Sequence, residues 1–245
     1  MMEIHPNFNF CASSAQQYDF VKQDYPELFK RIQEAAKSGR FEVVGGSWVE
    51  FDGNIPSGES MCRQFLYGQR FFKENFGNYC KNFFMPDTFG YSAQLPQIMN
   101  ESGIKWFITQ KLSWSRFNKF PHNTFKWNGL DGSEVLAHFP PADTYNSDGK
   151  LVDVLKSQNN FKDKGVTNLS LMLYGEGDGG GGPERQHIDS LHRFENLQGV
   201  PKVKISTVNQ FFKALEEEDN DLYNWKGELY LEIHNGTYTT MAENK

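Results

Sequence analysis

Cysteine is scarce in this chain: Cys11, Cys62 and Cys80 are the only three among 245 residues. An odd, widely spaced set without a Cys-x-x-Cys pair excludes a disulfide framework and a structural zinc finger, and it fits a reducing, cytoplasmic setting. Long hydrophobic runs are missing as well. No stretch approaches the roughly 18 apolar residues of a membrane span, and residues 1–10 lack the charged-then-apolar order of a secretory signal. Basic charge is also short, with 25 Lys and Arg against 31 Asp and Glu, a net charge of −6. That balance leaves no basic footprint for nucleic acid or an anionic membrane. The Asn-x-Ser/Thr triplets at Asn168 and Asn235 are read as unused, because such triplets are common by chance.

What the chain has in abundance is aromatic surface: 22 Phe, with aromatics at 15% and hydrophobic residues at 38% of the whole. This is too much apolar surface for a disordered chain. The length suits one large domain or a piece of something bigger.

Gly, Pro and Asn punctuate the sequence into short apolar runs and longer helix-like segments that take turns. Strands are expected at 7–12, 41–45, 81–85, 105–109, 168–174 and 202–206. Helices are expected at 25–38, 57–76, 93–101, 150–162, 183–195 and 208–217. In 25–38, Leu28, Ile32 and Ala35 form one stripe, and Gly39 ends it. In 57–76, Phe65, Phe72 and Phe76 share a face and Gly77 closes it. A hairpin is expected between 124–127 and 134–139. The alternation predicts an α/β architecture with parallel pairing, either a barrel or an open sheet.

In such folds the loops after the strand ends build the site. Four clusters stand there: residues 45–54, 85–92, 138–145 and 174–178. Each couples carboxylates to aromatics, which suits sugars: ring faces pack on C–H surfaces, while carboxylates grip hydroxyls or act as acid, base and nucleophile. Asp87, between Pro86 and Gly90, is either presented at the rim of a site or caps the helix after Ser92. Asp178, among glycines, marks either room for a ligand or a flexible loop tip. The glycine run is not followed by the GK[ST] of a phosphate loop. His187 and Asp189 lie on opposite sides of a helix and cannot readily face one ion. His138 reads as a hydrogen-bonded strand-end histidine before it reads as a ligand. His234, beside Tyr238, is a substrate contact or nothing. No local GxSxG signature of a serine nucleophile is present.

Four strings then align with one family: GGSWVEFDGNIPSGES (45–60), PDTFGYSAQLPQI (86–98), GDGGGGP (177–183) and HNGTYTT (234–240). Together, and in order over nearly the whole chain, they resemble glycoside hydrolase family 38, the class II α-mannosidases, most closely the cytosolic and vacuolar type.

The resemblance implies a seven-stranded (β/α) barrel-like catalytic domain that binds zinc, or cobalt in its place, and releases terminal α-linked mannose from oligomannose-type oligosaccharides with retention. Asp87 matches the family nucleophile and lends an oxygen to the metal. Asp178 matches the general acid/base, and a retaining pair stands about 5–5.5 Å apart. Tyr145 and His234 match pocket residues, and Trp48, Glu50, Asp52 and Asn54 the rim. The family's His-x-Asp metal ligands are expected upstream of Asn7 and a further histidine downstream of Thr240, where this chain has neither. The reading is therefore an incomplete barrel lacking its first strand, with 1–233 as partial catalytic domain and 234–245 as a junction to a helical domain. The full-length enzyme is expected to be cytoplasmic, with the vacuole or lysosome as second choice, and able to form homo-oligomers. The competing reading is an inactive fragment or pseudoenzyme that binds mannose-type sugars.

Overall fold

The computed structural model describes residues 1–177, 181–218 and 221–234. The first strand, β1 (Phe10–Ala12), leads into α1 (Ala15–Asp24) and α2 (Pro26–Lys37), and β2 (Phe41–Val43) returns parallel to β1. Helix α3 (Gly58–Phe76), β3 (Asn82–Phe84), α4 (Leu95–Glu101) and β4 (Trp106–Ile108) follow. Next come a 3-10 turn at Lys111–Trp114 and the hairpin β5 (Thr124–Asn128) and β6 (Glu134–His138). Helices α5 (Leu151–Asn160), α6 (Arg185–Arg193) and α7 (Val208–Glu217) and the short β7 (Asn224–Lys226) complete the order.

The strands form a parallel pair, β1–β2, and a five-stranded sheet in the order β3-β4-β6-β5-β7. Within the larger sheet β3, β4 and β6 are parallel, and β5 runs antiparallel to β6 as the hairpin requires. The architecture is thus α/β with a mixed sheet, and among the described residues no sheet closes into a barrel. The two sheets meet through a side chain: the Gly45 N–H donates to Asn82 Oδ1 at 3.0 Å.

Strand alternation divides the aromatics between two faces. Phe83, Phe107 and Ala137 join the core under α3 and α4, while Trp106 and Ile108 join a second core beneath α7. Phe65 and Phe83 meet at 4.8 Å and Phe107 and Trp127 at 5.1 Å, both within the preferred range for ring pairs. On the other face Trp106 stacks on Phe212 at 5.3 Å, and its indole N–H donates to Glu216 Oε1 at 2.8 Å.

Helix α3 fixes the loop that follows β2. Ser57 caps it by accepting from the Ser60 N–H, and Gly77 takes the left-handed conformation at its end, φ 82°. Gly68 meets that loop so closely that a Cβ there would lie 2.4 Å from the Ser47 carbonyl carbon, so only glycine fits.

Three segments depart from the sequence expectation. Residues 168–174 form no strand. Both edges of β6 are already taken by β4 and β5, so this segment reaches β6 only where the Leu171 N–H donates to His138 Nε2 at 3.1 Å. Residues 202–206 likewise carry no ladder; Val203 and Ile205 pack beside α6. Helix α1 was not expected. Its N-terminus has no side-chain cap, and it is held by the buried Ala15 and Tyr18 rather than by a legible start signal.

His138 is a core residue, fully buried, with Nδ1 against Thr124 Oγ1 at 2.9 Å. Burial pushes its pKa down to about 3. The unfolded chain therefore takes up a proton near pH 6.5 that the folded chain refuses. That contribution to stability is complete above pH 6.5 and is lost as pH falls toward 3, at about 1.4 kcal/mol per unit. Urea midpoints between pH 7 and 5 should show this slope, and a His138→Gln variant should flatten it.

Candidate active site at the strand ends

The ends of β2, β3 and β4 come together at one rim. After β4, the N–H groups of Gln110 and Lys111 dock on the Pro86 carbonyl, at 3.4 and 3.0 Å. After β3, Tyr91 Oη donates to the Met85 carbonyl at 2.7 Å. The 85–91 loop is thereby held on both sides of Asp87.

Asp87 is ion-paired through Oδ1 with the Lys111 ammonium. The lysine side chain is 5% exposed and the aspartate 44%, so the cation is enclosed while the carboxylate still faces solvent. The Lys111 ammonium also lies 3.8 Å from the Trp114 ring centroid and 5.7 Å from that of Phe89. Cation–ring attraction of about 0.5–2 kcal/mol holds it in place.

Glu50 anchors the backbone beneath. Its Oε1 accepts from the Asp87 N–H at 2.7 Å and from Thr88 Oγ1 at 3.3 Å. Burial of the carboxyl pushes the Glu50 pKa up; the hydrogen bond from Asp87 opposes the rise and the Asp87 charge adds to it. Asp52 folds its own loop, with Oδ1 accepting from the Asn54 and Ile55 N–H groups at 2.8 and 3.2 Å. Asn54 Nδ2 then reaches across to the Phe89 carbonyl at 3.1 Å. Between these loops Gly53 is obligatory, since a Cβ there would stand 2.5 Å from the Gly90 carbonyl oxygen.

His234, with φ 65°, sits against the same rim, its ring 4.7 Å from Phe89 and 6.0 Å from Trp114. The structure therefore brings Glu50, Asp52, Asn54, Asp87 and His234 together. Trp48 is placed elsewhere, packed edge-on to Phe71 of α3 at 6.0 Å. Tyr145 stands beside the glycine loop, its ring 2.6 Å from where a Gly177 Cβ would be. Asp178 and residues 235–245 lie outside the described residues. A cavity of about 250 Å³ runs between Pro86, Tyr145, Tyr174, Glu176 and Gly181, so the stems of the glycine loop share a space with the residue before Asp87.

His187 and Asp189 do not converge. His187 Nδ1 accepts from the Glu184 N–H at 3.0 Å as a helix cap, and Asp189 pairs with Arg185 at 3.3 Å. Among the described residues no group of three or more His, Cys, Asp or Glu could hold a metal ion. A zinc site needs three or more such ligands, and here the partner of Asp87 is a lysine. The described residues alone thus do not complete a zinc site.

Sequence reasoning missed Lys111 and Trp114. They follow β4 as Lys-Leu-Ser-Trp, a fifth strand-end cluster whose cation and ring were the available signal.

The family model for the glycosyl hydrolases family 38 N-terminal domain matches residues 1–228. Human alpha-mannosidase 2C1 is 56% identical over 245 residues, covering 100% of this chain and 24% of the relative. Alpha-mannosidase G of Dictyostelium discoideum is 55% identical over 244 residues, covering 100% of this chain and 22% of the relative. The chain thus spans about a quarter of the length of these curated relatives. The crystal structure of an alpha-mannosidase from Enterococcus faecalis superposes with a TM-score of 0.76 at 22% identity, over 93% of this chain and 27% of that one. That likeness concerns the fold.

Proposed function

The chain belongs to glycosyl hydrolase family 38, and from that premise we propose that it forms part of the catalytic domain of an α-mannosidase acting on oligomannose-type oligosaccharides with retention. In the complete domain its strands would belong to a barrel. The single observation that carries the reading is the half-exposed Asp87 carboxylate, held by the enclosed Lys111 at the end of β3.

Asp87 serves as nucleophile. Its carboxylate oxygen bonds to C1 of the mannose as the bond from C1 to the leaving oxygen breaks, and the Asp178 carboxyl gives its proton to that oxygen. In the second half Asp178, now a carboxylate, takes a proton from water; the water oxygen bonds to C1 and Asp87 leaves as a carboxylate. The lysine fixes which oxygen of Asp87 stays bound and which is free to attack. The rings of Phe89, Trp114 and His234 offer faces for the C–H side of the sugar.

Zinc, or cobalt in its place, belongs to the proposal for the whole protein. Asp87 would give one oxygen, and the other ligands would come from outside the described residues. A cytoplasmic location is supported by the free thiols Cys11, Cys62 and Cys80. Among the described residues no helix is long and apolar enough to cross a membrane.

The lysine pairing also favours a second reading, a chain that binds mannose-type sugars without cleaving them. Incubation with an aryl α-mannoside, with zinc supplied and product followed by proton NMR, separates the two. Release of mannose first as the α anomer is expected. Binding without release supports the second reading, and first release of the β anomer overturns the retaining mechanism.

A further inference from the structure

The peptide unit that joins Pro86 to Asp87 is held at both of its polar ends. Its carbonyl oxygen accepts from the Lys111 and Gln110 N–H groups at 3.0 and 3.4 Å, in the chain that follows β4. Its N–H donates to Glu50 Oε1 at 2.7 Å, in the loop that follows β2. We propose that Glu50 is a positioning residue for the reaction at Asp87, aiming the nucleophile through its backbone N–H rather than contacting the sugar. The proposal rests on the mannoside reading of Asp87.

A peptide unit is planar, so a hold on its oxygen and a hold on its nitrogen together fix the frame from which the Asp87 side chain departs. The outer end of that side chain is held by the Lys111 ammonium. The unit before it offers no N–H, because residue 86 is proline, and its Met85 carbonyl is already taken by Tyr91 Oη at 2.7 Å. Residues 110–111 thus supply the holds on the carbonyl and on the side chain. Glu50 supplies the one on the N–H, which in a trans peptide points the opposite way.

Glu50 is set in place by its neighbours in the chain. Val49 before it donates its N–H to Gln64 Oε1 of α3 at 3.1 Å. Phe51 after it is 6% exposed, its ring stacked on Phe83 of β3 at 5.5 Å. Thr88 Oγ1 stands 3.3 Å from both Glu50 Oε1 and the Phe51 carbonyl oxygen, within reach of either. The loop that carries Glu50 and the loop that carries Asp87 are thereby tied together, and both rest on β3 and α3.

A carboxylate suits this task, because a hydrogen bond to an ionised acceptor is shorter and about twice as strong as one between neutral groups. The 2.7 Å separation has that character. Asp52, two residues on, turns its Oδ1 into its own loop and leaves the Asp87 N–H to Glu50. Misplacement of a reacting group by about 1 Å costs about 100-fold in rate, so this one bond bears on kcat more than on affinity.

Steady-state kinetics of three Glu50 variants on an aryl α-mannoside, with zinc supplied, beside titration with methyl α-mannoside, test this. Glu50→Ala should lower kcat about 100-fold and leave methyl α-mannoside affinity within about twofold. Glu50→Asp, which keeps the charge but withdraws the acceptor by one methylene, should fall with it. Glu50→Gln, whose amide oxygen can still accept from the Asp87 N–H, should keep about a tenth of the rate or more. The Asp and Gln variants decide the matter if the Ala variant does not fold. Unchanged kcat in Glu50→Asp, or equal losses in Glu50→Asp and Glu50→Gln, overturns the proposal and leaves Asp87 as the nucleophile. Affinity that falls in step with the rate makes Glu50 a sugar contact and overturns it as well. Absence of hydrolysis by the unsubstituted chain overturns the mannoside reading together with the proposal.

Discussion

Asp87→Asn is expected to lower kcat on an aryl α-mannoside by about 10⁴-fold or more while changing affinity for methyl α-mannoside by less than about tenfold. The amide keeps the shape of the carboxylate, and its oxygen can still accept from Lys111, so the rim built by Glu50, Thr88 and Asn54 should persist. What it loses is the negative charge that forms the bond to C1. Steady-state kinetics beside direct sugar titration check this. A variant retaining a tenth of the activity would remove Asp87 from the reaction.

Lys111→Met is expected to lower kcat by about 100-fold with a small change in KM, because the carboxylate loses the group that orients it and misplacement of a reacting group by about 1 Å has costs of this order. Methionine keeps the unbranched stem against Trp114 and removes only the ammonium. Lys111→Arg should restore part of the rate. The stability cost should fall below the roughly 3–5 kcal/mol of breaking a fully buried pair, because Asp87 is 44% exposed and water can take over its charge. Urea unfolding in parallel with the kinetics separates the two effects. Losses of equal size in rate and in folded fraction would make Lys111 structural only.

Local signals in the sequence were legible where a single segment carries them. Ser57 and Gly77 bound α3 because capping and the left-handed turn are properties of a few adjacent residues. The hairpin β5–β6 was legible for the same reason, with its turn at 129–132. Segments 168–174 and 202–206 were not, because whether an apolar run becomes a strand depends on a free neighbouring edge, and β6 has none to give. Asp87 was legible only as one of two things, a rim carboxylate or the cap of the helix after Ser92. Its partner Lys111 was not, since that pairing depends on β3 and β4 lying side by side. Trp48, grouped with the rim by its place in a motif, packs on α3 instead, its backbone N–H donating to the Gln64 carbonyl of that helix at 2.9 Å and its ring lying against Phe71. His138 was read as a satisfied strand-end residue, and its burial and bonds to Thr124 and Leu171 agree.

The most direct measurement is peptide mass spectrometry of the chain after incubation with an activated fluoro-mannoside that forms the glycosyl ester quickly and releases it slowly. The expected result is one fluoromannosyl unit on the peptide carrying Asp87, absent from Asp87→Asn. A label on any other carboxylate, or none at all in a preparation that hydrolyses aryl α-mannoside, would contradict the assignment of Asp87 as the nucleophile.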